Sequence, residues 1–116
     1  MENENKVQDP SAEEIKLKAE LDAIAQKYSQ KTVFRIDVER EDGSIARAYF
    51  KKPDRNVYGA ALSIQGRNPL SAKEVVLRST FLEGDKDLLE NDDLFYSACT
   101  VVDDMITFRA ASIKKN

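Results

Sequence analysis

Five carboxylates crowd into residues 85–93 of this 116-residue chain, at Asp85, Asp87, Glu90, Asp92 and Asp93. Oxygen at that density is what a calcium ion takes. The spacing fails the chemistry. Counted from Asp85, a calcium loop of the helix–loop–helix kind needs a donor at its fifth position and glycine at its sixth, where the chain has Leu89 and Glu90. The cluster reads instead as a solvated connector whose Asp92 or Asp93 caps a following helix. Asp103-Asp104 offers two further carboxylates. Adjacent helical residues point about 100° apart, so the two cannot act as an acid–base dyad on one face.

The rest of the reactive inventory is sparse. The chain has no histidine, hence neither the commonest general base nor the commonest metal ligand. That excludes Ser-His-Asp and Cys-His machinery and zinc sites built on Cys and His. Any enzyme here would have to work with carboxylates, lysines or tyrosines alone. The single cysteine, Cys99, has no basic neighbour in sequence to lower its pKa and reads as a small buried hydrophobe. The four glycines form no phosphate-binding fingerprint. A non-enzymatic protein is expected, with no cofactor, metal or small-molecule substrate.

One cluster suits recognition. Lys51, Lys52, Arg55 and Arg67 could form a basic edge interleaved with Tyr49 and Phe50. Such a pattern can hold a phosphate backbone with stacked bases, and it is equally how a strand edge is protected from aggregation. With a formal net charge of −3, no global field draws the molecule to nucleic acid. The corner around Tyr49, Lys51, Lys52, Arg55 and Tyr58, with Arg67 in the Gly66–Asn68 loop, is therefore the candidate surface for protein partners, since tyrosine and arginine are enriched there.

Those residues need elements to hold them. Residues 1–10 are polar and aperiodic and are expected to be disordered. Ser11 and Glu14 form a capping box, with Asp9-Pro10 as an alternative start. Ile15, Leu21, Ile24 and Tyr28 then mark an amphipathic helix of about five turns. From Lys31 the period becomes two: Phe34, Ile36 and Val38 alternate with Arg35, Asp37 and Glu39. Asp42-Gly43 signals a hairpin turn, and the return strand, 45–51, sets Ala46, Ala48 and Phe50 against Ile45, Arg47 and Tyr49. Pro53 must end that ladder because it has no N–H to donate. Asp54 can cap a second helix over 54–65, closed by Gly66, a residue able to take φ > 0.

Asn68-Pro69 opens a third helix, carrying Leu70, Val75, Val76, Phe81 and Leu82 and stopped by Gly84. A fourth helix carries Leu94, Phe95, Ala98, Val101, Val102, Met105 and Ile106. Residues 106–113 could continue it or form a short strand. The expected fold class is α+β: one domain over 11–116, in which an antiparallel hairpin or small sheet packs against three to four helices. The expected core comprises Leu21, Ile24, Phe34, Ile36, Phe50, Val57, Ala61, Ile64, Val76, Leu77, Phe81, Leu94, Ala98, Val101 and Met105. No apolar run approaches the roughly 18 residues of a membrane span, and the start lacks a signal-peptide core. A cytoplasmic setting is expected.

From Tyr49 onward the chain resembles small tail-assembly proteins of tailed bacteriophages and prophages, chaperone-like in role. The matching features are the aromatic strand end Tyr49-Phe50 and Lys52-Pro53-Asp54-Arg55 opening a helix. Asn68-Pro69-Leu70-Ser71-Ala72 opens the next, Leu82-Glu83-Gly84-Asp85 closes it, and a last helix begins near Leu94-Phe95. The resemblance implies a non-enzymatic virion-assembly protein that binds tail components in the host cytoplasm, with no catalytic residues to carry over. The long N-terminal helix departs from that pattern. The competing reading is a small nucleic-acid-binding or regulatory protein that uses the basic edge.

Overall fold

The computed structural model describes residues 11–116; the expectations for residues 1–10 and for Asp9-Pro10 lie outside them. Helix α1 (Ala12–Lys27) starts on the expected capping box, with the Ser11 hydroxyl accepting from the Glu14 N–H and the Glu14 carboxylate accepting from the Ser11 N–H. Strands β1 (Val33–Glu39) and β2 (Ile45–Lys51) form the hairpin, in the register that places Phe34 opposite Phe50 and Arg35 opposite Tyr49. Its turn depends on Gly43, whose φ of 89° is costly for any residue with a side chain.

After Pro53, the Asp54 carboxylate accepts from the Val57 N–H at 2.9 Å and α2 (Arg55–Gln65) follows. Gly66 does not use its left-handed freedom: its φ is −67°. The helix ends because Asn68 leaves the helical path to cap α3 (Pro69–Thr80), accepting from the Ser71 N–H.

Two expected helices are shorter than their apolar patterns. α3 stops at Thr80, and Phe81–Gly84 form a third strand, β3, antiparallel to β2. Gly84 decides this. A Cβ there would lie 2.5 Å from the Ala48 Cα and from the Arg47 carbonyl oxygen, and its φ is 126°. Only glycine lets the two backbones come this close. Asp85 then locks the junction, its N–H donating to the Arg47 carbonyl at 2.8 Å and its carboxylate accepting from the Arg47 N–H.

The acidic connector is not wholly solvated. It folds into a short helix, α4 (Asp87–Glu90), around the fully buried Leu88. Asn91, rather than Asp92 or Asp93, caps α5 (Asp92–Cys99), accepting from the Leu94 N–H. The fourth expected helix is cut at Cys99, and Val102–Met105 form one 3-10 turn. Residues 106–116 are neither helix nor strand.

The α+β expectation holds: a three-stranded antiparallel sheet of order β1-β2-β3 with five helices, one more than expected at most. One sheet face, carrying Ile36, Ala46, Ala48 and Phe50, packs into a core with Ala61, Ala72, Val76, Leu77, Leu88, Leu94, Phe95, Ala98, Cys99, Val102 and Met105. Phe50 stacks edge-on against Phe81 at 5.7 Å, a geometry worth about 1 kcal/mol beyond area burial. Phe34, Val57, Ile64 and Phe81 flank the core, half-buried. Val101 is exposed instead, and Leu21 and Ile24 are only half-buried, because α1 lies on the opposite sheet face and buries no residue fully.

Candidate partner-binding surface

The face beneath α1 is held by charge. Glu20 of α1 accepts from Arg35 at 3.2 Å and from the Tyr49 hydroxyl. Arg35 also reaches Asp37, which Arg47 grips with two nitrogens at 2.9 and 3.2 Å. At the helix's far end Lys27 and the Tyr28 hydroxyl both donate to Glu83 of β3, at 2.7 and 2.8 Å. The sequence puts these groups together because Arg35, Asp37, Arg47, Tyr49 and Glu83 all occupy the same alternate positions of a three-stranded register.

The titrations follow from those contacts. The Tyr49 bond, opposed by burial and aided by Arg35, holds Glu20 below the usual carboxylate range. Burial first, and the bond to Glu20 second, push Tyr49 up to about 12. A tyrosine so far from neutrality is a clamp rather than an acid–base group.

Tyr49 is thus half-buried and engaged with Glu20, not held out towards a partner. The expected open edge at Tyr49 is absent as well: β2 is the middle strand, paired to β1 along its length and to β3 through Ala48, Tyr49 and Phe50. Lys51, opposite Val33, is half-buried on the α1 side. The remaining residues lie elsewhere. Lys52 and Arg55 are exposed at the strand-to-helix corner. Tyr58 is half-buried in a depression of about 60 Å³ shared with Ala61, Gln65, Pro69 and Ile106. Arg67 stands past the other end of α2, roughly 18 Å along its axis from Arg55 at 1.5 Å per residue. The six expected residues therefore do not form one patch.

What unites Lys52, Arg55 and Arg67 is lack of employment. Among the described residues, Arg35, Arg40, Arg47 and Arg78 all make ion pairs within the chain, whereas no such pair involves these three. Beside them the α2–α3 pair exposes Leu62 and Leu70, at 49% and 44%. Leu62 lies seven residues after Arg55, two turns along the same side of α2. Sequence reading missed both leucines as surface residues; the signal was an apolar stripe on α2 wider than one buried face requires.

The acidic residues form an open groove of about 630 Å³ between the hairpin end and α5, with Glu39, Asp42, Asp87 and Asp93 on its walls. Arg40 spans it, its Nε donating to Asp87 at 3.0 Å, and this bond holds Asp87 below its ordinary range. Among the described residues no group of three or more His, Cys, Asp or Glu is arranged to hold a metal ion. Cys99 is buried, and that burial pushes its thiol up. Among the described residues no helix is long and apolar enough to cross a membrane. Comparison with family models, curated proteins and solved structures yields no match.

Proposed function

We propose that this chain is a non-enzymatic assembly protein of the phage-tail kind, acting in the host cytoplasm and contacting protein partners through the outer side of α2 and its two ends. The observation that carries this reading is that cations making no ion pair among the described residues, Lys52 and Arg55 at one end of α2 and Arg67 past the other, accompany exposed Leu62 on the Arg55 side of α2 and exposed Leu70 three residues after Arg67. Exposed leucine together with arginine is the composition of a protein contact, in which desolvated leucine supplies area and arginine supplies direction. The resemblance of the sequence from Tyr49 onward to tail-assembly proteins supports the reading from a second side. Pro53-Asp54, Asn68-Pro69 and Gly84 are the joints that set the angles between β2, α2, α3 and β3.

Affinity capture from infected or prophage-induced cells, with nuclease treatment before elution, tests the proposal. Recovery of tail-tube or tape-measure proteins is expected. Nucleic acid without virion protein, in capture without nuclease, would favour the regulatory reading and refute this one.

A further inference from the structure

The outer edge of β1 is open. The Arg40 N–H bonds the Ser44 carbonyl at the hairpin mouth, so the alternation of an antiparallel ladder gives Phe34, Ile36 and Val38 the bonds to β2. Val33, Arg35, Asp37 and Glu39 therefore turn their N–H and C=O groups away from the sheet. The same alternation gives Arg47 its bonds to the β3 side, as observed. Among the described residues nothing pairs with that edge. It carries charge at Arg35, Asp37 and Glu39, but it is neither short nor broken by proline or a bulge.

The two ends of this edge differ in chemistry. At Val33 a groove of about 350 Å³ opens under α1, its floor apolar with Leu17, Leu21 and Ala25 and its rim carrying the balanced charges Glu14, Asp22, Lys18 and Lys31. At Glu39 lies the acidic groove, where Glu39, Glu41, Asp42, Asp87 and Asp93 outnumber the single Arg40.

Residues 106–116 are the complement of that edge. They form no helix or strand and leave Phe108 75% and Ile113 93% exposed. They contain Arg109, Lys114 and Lys115 and no acidic residue. Phe108 and Lys114 are six residues apart, as are Val33 and Glu39; in extended chain both intervals span about 20 Å.

We infer that residues 106–116 of one copy add as a fourth strand to the β1 edge of a second copy, running parallel to β1, with Phe108 in the apolar groove at Val33 and Lys114-Lys115 at the acidic groove. The occupant is a second copy because segment and edge both stand unpaired among the described residues and the charges of segment and acidic groove are opposite. Main-chain bonds supply affinity in such strand addition, and the terminal grooves set register and direction.

Sedimentation velocity of the full chain over a range of concentrations reads this directly. Association that rises with concentration, weakens with salt and is competed by excess synthetic peptide of residues 106–116 is expected. Phe108→Asp should restore the monomer, and its side chain is too exposed for the change to unfold the core. Lys114→Glu with Lys115→Glu should do the same. Glu39→Pro attacks the other partner, removing an outward N–H at an exposed position without touching the ladder to β2. A monomer at every concentration overturns the inference, as does an oligomer indifferent to Phe108→Asp. A monomer with residues 106–116 protected from hydrogen exchange places the docking within one chain and overturns pairing between copies.

Discussion

Gly84→Ala is the substitution whose cost the structure defines most sharply. A single methyl group would sit 2.5 Å from both the Ala48 Cα and the Arg47 carbonyl oxygen, and both are backbone of the central strand. No rotamer change can relieve that contact. The φ of 126° adds about 1–3 kcal/mol of strain for any residue with a Cβ. Relief requires β3 to move off β2, which weakens the two bonds between Asp85 and the Arg47 backbone, each worth about 1 kcal/mol. Together these give a loss of about 3–5 kcal/mol, a large share of a stability of about 5–15 kcal/mol. At about 4 °C per kcal/mol for a chain of this size, Tm should fall by about 12–20 °C. Gly59→Ala is the matched control: it sits inside α2 with nothing within 4 Å of the added methyl and should gain about 0.5–1 kcal/mol. Thermal denaturation followed by circular dichroism compares the two. If Gly84→Ala costs less than about 1 kcal/mol, or no more than Gly59→Ala, Gly84 does not make β3 a strand and the argument fails.

Tyr49 has a folded pKa of about 12 against an ordinary value of 10. Its clamp on Glu20 is therefore fully present below pH 10 and lost as pH rises from 10 towards 12; urea titrations should show this loss in the native chain and not in Tyr49→Phe. At the acid end the sign reverses. Glu20 lies below its usual 4.5, so its contribution is present above that value and fades as pH falls through the lower folded pKa, and Glu20→Gln should flatten that limb. Asp54→Ala removes the α2 cap and should cost about 1 kcal/mol by chemical denaturation, without moving β2.

The hairpin was legible because each strand alternates cleanly and Asp42-Gly43 leaves little choice of turn. The caps at Ser11, Asp54 and Asn68 were legible for a similar reason, since each depends on neighbours within three residues. β3 was not. Phe81 and Leu82 continue the apolar face of α3, and what makes them a strand is a contact between Gly84 and Ala48, far apart in sequence. The early end of α5 left only a faint signal. Thr100, Val101 and Val102 are β-branched and stiff at χ1, and the Thr100 hydroxyl bonds back to the Ser97 carbonyl as the chain tightens into a 3-10 turn. Of the candidate surface, the exposure of the cations was legible and the strand edge was not. Lys52, Arg55 and Arg67 are exposed as expected, but an open edge at Tyr49 presupposed that β2 had one neighbour, and the third strand removed it. The charges under α1 read as ordinary polar positions until the register set Arg35 against Tyr49 and Asp37 against Arg47.

The central claim, that the cations flanking α2 exist for a protein partner, is tested most directly by the double substitution Lys52→Glu and Arg55→Glu. Quantitative capture from prophage-induced cells would compare it with the native chain, alongside thermal denaturation of both. Neither residue makes an ion pair among the described residues, so Tm should move by no more than about 2 °C. Reversing two contact charges should cut recovery of tail components by at least about tenfold, equivalent to about 1.4 kcal/mol. Unchanged recovery by a folded variant would contradict the claim and place the interface on another face.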